Sequence, residues 1–300
     1  MPVVRRSSFA FRTRPLLGVS LLFLVISCAN PKIVAAQIVR IAPKASGCDP
    51  ALVDAALEAS DLKDAGRTMQ AEIGETLAQT QATLRARGKY LPAGEKDRFE
   101  AMMQQAFAAD AVDVEIQRSM KTHCEPRTFA AATEQLNTPL AKKFRGFESE
   151  FNRSHSRAAI NRYAVSLQQR PPTATRESLI EALEKTVHEA DFVADVDAQI
   201  VLAFYMAITS KATDDSQFGT MRDQLLPPIR REVRVQQLMT YRNAADEELD
   251  QYIMLLRIPD VQRFQTICKT AYQDAVVRRS QVLAAMLKQR IDEILASRHR

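Results

Sequence analysis

Apolar residues recur along most of this chain at helical spacing. Leu52, Val53, Ala56 and Leu57 fall on one helical face. Residues 65–88 are rich in Ala, Gln, Leu and Arg and stop at Gly88, a helix terminator. Residues 89–94 carry the next loop, with Pro92 and Gly94. The pattern then predicts one helix from Glu95 to about Lys121, bearing Phe99, Met102, Met103, Phe107, Val112, Val114 and Ile116. Pro126 and Pro139 suit first helical positions, with Thr138 as a cap before the second. They predict a short helix ending at Asn137 and a long one reaching about Gln168.

Arg170 to Thr175 reads as a linker, with Thr175 capping a helix over Arg176–Ala190. Phe192 to about Ser210 is apolar on several faces, as a central helix is. Its nine-residue apolar run, Ile200–Ile208, is far short of the roughly 20 residues that span a bilayer. Pro227-Pro228 is expected to interrupt a helix between about Asp214 and Tyr241. Asp246–Arg257 is short, and Pro259 opens a helix running to about Ala296, with Arg298, His299 and Arg300 suited to its C-terminal dipole.

The two halves echo each other. At an offset of 120 residues, Leu136, Pro139 and Phe144 fall on Leu256, Pro259 and Phe264. Phe129 falls on Leu249 and Phe147 on Ile267. The shared unit is a short amphipathic helix, a Pro-initiated break and a long helix, which points to duplication. The expected fold class is all-α: helical unit 1 over residues 51–170 and helical unit 2 over 171–300, about five helices each, packed as one body.

Composition narrows the chemistry. Only 8 of 300 residues are Gly, which leaves little room for the positive-φ turns of hairpins or phosphate-binding loops. A Rossmann domain, a P-loop NTPase and a β-sandwich are thereby disfavoured. The formal charge of +5 invites an anionic partner. That charge resides at the N-terminus. Residues 1–36 hold Arg5, Arg6, Arg12, Arg14 and Lys32 and no acid, and an apolar run from Leu16 to Ile26 follows the arginines. This is the pattern of an export signal. Two processing sites compete: cleavage after Ala36, or a lipobox at Val25-Ile26-Ser27-Cys28 in which Cys28 is lipidated and residues 1–27 are removed. The first cut leaves 36 basic against 36 acidic residues, the second a charge of +1, so nucleic acid is not an expected partner. Residues 37–50 form a tether in this reading.

Tyr241-Arg242-Asn243-Ala244-Ala245-Asp246-Glu247-Glu248-Leu249-Asp250-Gln251-Tyr252, followed by Leu255-Leu256-Arg257-Ile258-Pro259-Asp260-Val261-Gln262-Arg263-Phe264, resembles the core of a bacterial family, domain of unknown function 2059. The family-like region covers about 241–290 and, more weakly, Thr128–Glu148. Ala245, Ile258 and Asp260-Val261 depart from the family pattern. The resemblance implies an exported, all-helical protein; it brings no catalytic residue with it.

No motif assembles a catalytic, cofactor or metal centre. His-Glu-x-x-His, Cys-x-x-Cys and Gly-x-Ser-x-Gly are missing from the sequence. Asp246, Glu247, Glu248 and Asp250 complement a helix N-terminus rather than bind a cation. His188, with Glu184 and Asp191 at helical spacing, reads as a solvated cluster. Phe99, Met102, Met103, Phe107, Phe192, Phe204, Tyr205 and Met206 read as core, with a ligand groove as the alternative. Beyond the signal the cysteines are Cys48, Cys124 and Cys268. Cys48 and Cys124 lie in loop-like positions and are expected to pair, while Cys268 sits mid-helix as a small hydrophobe. The resulting expectation is a non-catalytic binding or scaffolding protein of the cell envelope without a cofactor, whose partner is another envelope protein. The alternative is a periplasmic carrier holding a lipid or other apolar ligand between the two units.

Overall fold

The computed structural model describes residues 48–71, 73–74, 93–154, 156–209 and 215–298. Among these residues the structure is helical, without strands. Helix α1 spans Pro50–Ala59, and a 3-10 turn, Leu62–Asp64, leads into helical residues 65–71. The further helices are α2 (Ala93–Ala106), α3 (Ala109–Thr122), α4 (Pro126–Leu136), α5 (Pro139–Ser154) and α6 (Arg157–Gln169). They are followed by α7 (Ala174–Val187), α8 (Glu189–Thr209), α9 (Asp215–Thr240), α10 (Asp246–Leu256) and α11 (Pro259–Arg298). No helix among the described residues is long and apolar enough to cross a membrane. The helix end at Gly88, residues 89–92 of the expected loop, His155, His299, Cys28 and Ala36 lie outside the described residues, while Ala93 and Gly94, expected in that loop, already belong to α2.

Helix α11 is the spine. Its 40 residues reach about 60 Å at 1.5 Å per residue. Val261, Phe264, Cys268, Ala271 and Ala275 are fully buried and repeat at spacings of three and four, so one stripe stays turned inward. Helices α2, α3, α4, α8 and α10 pack along it. One apolar core therefore crosses the boundary at residue 170: Phe107, Ile116, Phe129 and Phe144 share it with Tyr252, Phe264 and Ile267.

Several helix limits differ from those the pattern predicts. The expected helix over 95–121 divides at Phe107-Ala108, where Ala108 is extended (φ −56°, ψ 134°). Arg279 reaches across from α11, and its Nε donates to the terminal carbonyl of Ala106 at 2.5 Å. The helix expected from Pro139 to Gln168 also divides. Ser156 adopts an extended conformation, and its Oγ accepts from Ala159 N as the cap of α6. At α7 the capping residue is Thr173 rather than Thr175.

The Pro227-Pro228 pair does not break α9. Both prolines face solvent, and so do Asp223 and Gln224, whose carbonyls lose their helical donors to them. Water can satisfy those carbonyls. Leu225, Leu226, Ile229 and Val233 hold the inner face of α9 against Ala190, Val193, Ala194 and Ala198 of α8. Val114, expected on an apolar face, is 53% exposed.

The two corners related by 120 residues superimpose in their element limits: Pro126–Leu136 then Pro139, and Asp246–Leu256 then Pro259. Their backbone bonds match as well. Asn137 N donates to Thr133 O and Arg257 N to Ile253 O, both at 3.1 Å. Each corner packs on the long helix of the other, α4 on α11 and α10 on α5.

Candidate functional site

The place where the halves meet is where the alternative reading of the sequence puts an apolar ligand. Aromatic side chains occupy it. Phe144 of α5 stacks on Tyr252 of α10 with ring centroids 4.3 Å apart. Tyr241, from the α9–α10 turn, lies 5.6 Å from Phe144. Phe129 meets Phe264 edge-on at 5.2 Å. All five are buried.

A polar chain runs through this apolar centre. Glu148 of α5 has no exposed surface, and its Oε1 accepts hydrogen bonds from the hydroxyls of Tyr241 and Tyr252. One turn earlier, Arg145 Nη1 donates to Ala59 O at the end of α1, at 3.2 Å. Asp61 follows directly in a left-handed conformation (φ 51°, ψ 17°). Burial pushes its carboxyl up to about 7; the Arg145 charge opposes the rise, and the charges of Glu148, Asp64 and Glu58 add to it. The network joins α1, α5, α10 and the α9–α10 turn across the apolar centre. The sequence carried a sign of Glu148, which sits on the Phe144, Phe147, Phe151 face where an apolar residue is expected.

Reciprocal ion pairs flank the centre. Arg263 of α11 pairs with Glu125 at the start of α4. Lys143 of α5 pairs with Glu248 at the start of α10. Arg263 and Lys143 are themselves related by the 120-residue offset. Both carboxyls are held below the usual carboxylate range, first by the hydrogen bond from the basic partner. Glu248 also accepts from Ala245 N at 3.3 Å, which caps α10 in place of an Ala245 side chain that cannot. Asp246 pairs with Arg176 of α7 at 2.6 Å. Arg176 also donates to the carbonyls of Tyr241 and Ala244, so one guanidinium fastens the α9–α10 turn. The acidic cluster thus serves a helix start and two inter-helix contacts.

His188 does not share a helical face with Glu184 and Asp191. It terminates α7 in a left-handed conformation (φ 49°, ψ 44°), and α8 begins at the next residue. Glu184 turns to accept from Ala190 N at 2.9 Å and from Gln237 Nε2 at 3.0 Å. Burial raises its carboxyl and lowers the Lys269 ammonium, whose Nζ donates to Val187 O at the end of α7. These groups close helix ends that would otherwise be unsatisfied. No group of three or more His, Cys, Asp or Glu able to hold a metal occurs among the described residues.

Cys48 and Cys124 form a disulfide, with Cα atoms 6.3 Å apart. Cys124 is buried rather than exposed as a loop residue would be. The bond joins the segment before α1 to the α3–α4 corner. His123 is the C-cap of α3, with Nε2 3.9 Å from Asp274 Oδ2, and it faces no thiol nucleophile because Cys124 is bonded. Cys268 is a buried free thiol held protonated by burial. Of the bulky apolar set, Met103, Phe107 and Phe192 are buried, and Phe99 and Met102 pack against the same core.

No family model matches the chain, and neither the curated proteins nor the solved structures contain a match to it.

Proposed function

We propose that this chain is an exported, non-catalytic binding or scaffolding protein of the bacterial cell envelope, built from two related helical units. The supporting observation is the Cys48–Cys124 disulfide, since such bonds persist in oxidising compartments. It ties the segment behind the export signal to the folded body, next to the Glu125–Arg263 pair. The aromatic filling between the halves speaks against a carrier cavity at that point. Membership of the domain of unknown function 2059 family, an origin by duplication and a periplasmic or lipid-anchored location belong to the same proposal. In it the N-terminal cut falls after Ala36 or before Cys28.

Native mass spectrometry of the mature protein purified from its own envelope tests the reading. A bound protein partner is the expected result. A stoichiometric lipid would replace the scaffold with a carrier. The intact mass of the same sample distinguishes a lipidated Cys28 from an N-terminus at Gln37, and an unprocessed N-terminus would remove export.

A further inference from the structure

The polar groups around the end of α1 exceed what a helix corner needs. Asp61 occupies a left-handed conformation, which Asp tolerates better than most residues. Its Oδ2 is buried and finds no hydrogen-bond partner among the described residues. The charges acting on it come from three elements: Glu58 of α1, Asp64 of the 3-10 turn, and Arg145 and Glu148 of α5. Arg145 is the one cation among them, and it is engaged on Ala59 O. Glu58 is paired with Lys63 and Asp64 with Arg67.

Five residues further on, a second acid meets the same segment. Asp113 of α3 accepts from Gly66 N at 2.7 Å, and burial, its largest influence, pushes its carboxyl up too. Gly66 is clamped there, because a Cβ would lie 2.1 Å from Ala109 O. The segment is thus short, pinned at its far end by Gly66, and carries at its near end a buried carboxyl with an unmet acceptor.

We propose that residues 58–67 form a proton-operated hinge, which protonation of Asp61 closes and ionisation of Asp61 loosens. An ionised Asp61 is a buried charge that Glu148, Asp64 and Glu58 oppose and only Arg145 favours. Opening hydrates that charge, whereas a proton taken from solvent removes it. The elevation of Asp61 to about 7 puts the transition near neutrality. The sign follows: folding contributes most from this group below its ordinary 3.8, and the contribution is lost as pH rises through about 7. The hinge acts in the purified chain, whatever compartment the protein occupies.

Amide hydrogen exchange on the full mature protein, expressed as protection factors at each pH, tests the proposal. Between about pH 5.5 and pH 8 the opening of residues 57–67 should increase roughly tenfold or more and then level off. Asp61→Asn keeps the size of the side chain and its tolerance of the left-handed conformation. It should remove most of the pH-dependent increase in opening. Carbon NMR of the Asp61 carboxyl in the wild-type chain should titrate near neutrality. Protection that does not change with pH, an Asp61→Asn chain that keeps the wild-type dependence, or a carboxyl titrating in the ordinary range would each overturn the hinge.

Discussion

Gly66 and Arg176 show how single residues set this structure. A methyl group at Gly66 would collide with the backbone of Ala109 at the start of α3, and backbone cannot swing aside as a side chain can. Gly66→Ala is expected to lower the unfolding free energy by roughly 2–3 kcal/mol in urea denaturation, as overpacked sites do. Arg176 closes two carbonyls and one carboxylate of the α9–α10 turn while retaining 16% side-chain exposure. Arg176→Ala leaves those acceptors without their donor and should reduce stability by roughly 2–3 kcal/mol. Arg176→Lys should recover only part, since an ammonium lacks the planar fork.

The pH dependence of stability also belongs to single residues. Burial raises Asp61, Asp113 and Glu184 above their ordinary values. Each binds its proton more tightly in the folded chain, so its contribution is present at low pH and lost on the way to neutrality. The unfolding free energy should therefore be higher near pH 5.5 than near pH 8, by roughly 2–4 kcal/mol, and Asp61→Asn should remove most of the difference. Below the ordinary carboxylate range the trend reverses, because Glu125 and Glu248 are stabilised as carboxylates by Arg263 and Lys143.

At the scale of the helix, the strongest sequence signals concern starts. Pro126, Pro139, Asp246 and Pro259 open helices where the pattern places them, because a proline or an acid at a first turn acts locally. The divisions at Ala108 and near Ser156 carry weaker punctuation, Asp110 in one first turn and Ser156 as the other cap, and no proline. Arg279, 173 residues away, closes the first of them, and a contact at that separation is invisible to local periodicity. The converse holds at Pro227-Pro228. Local chemistry predicts a break, but both prolines and the carbonyls they orphan face water while α8 holds the inner face. Replacing Pro227 or Pro228 by Ala should restore a backbone donor and stabilise the protein by about 2 kcal/mol, measured by thermal or urea unfolding. Glu148 was legible as a polar residue on an apolar face. Asp61 was not, because Arg145 and Glu148, which act on it together with its neighbours Glu58 and Asp64, come from α5, far along the chain.

Across the whole molecule, the all-α class and the helical spacing were readable from apolar periodicity alone. The 120-residue echo also located both corners, although not how they meet. They meet reciprocally, α4 on α11 and α10 on α5, with Arg263–Glu125 and Lys143–Glu248 as matching bridges. An internal duplication, which we propose, accounts for that reciprocity in the way a two-fold dimer interface does. At this scale Phe144, Tyr241 and Tyr252 pack together where the two halves meet.

The central structural claim is that residues on both sides of position 170 build one core. Equilibrium urea unfolding of the disulfide-intact protein, followed with one fluorescent probe in α3 and another in α9, tests it most directly. A single transition with the same midpoint from both probes is predicted. Two separate transitions, one for each half, would contradict it.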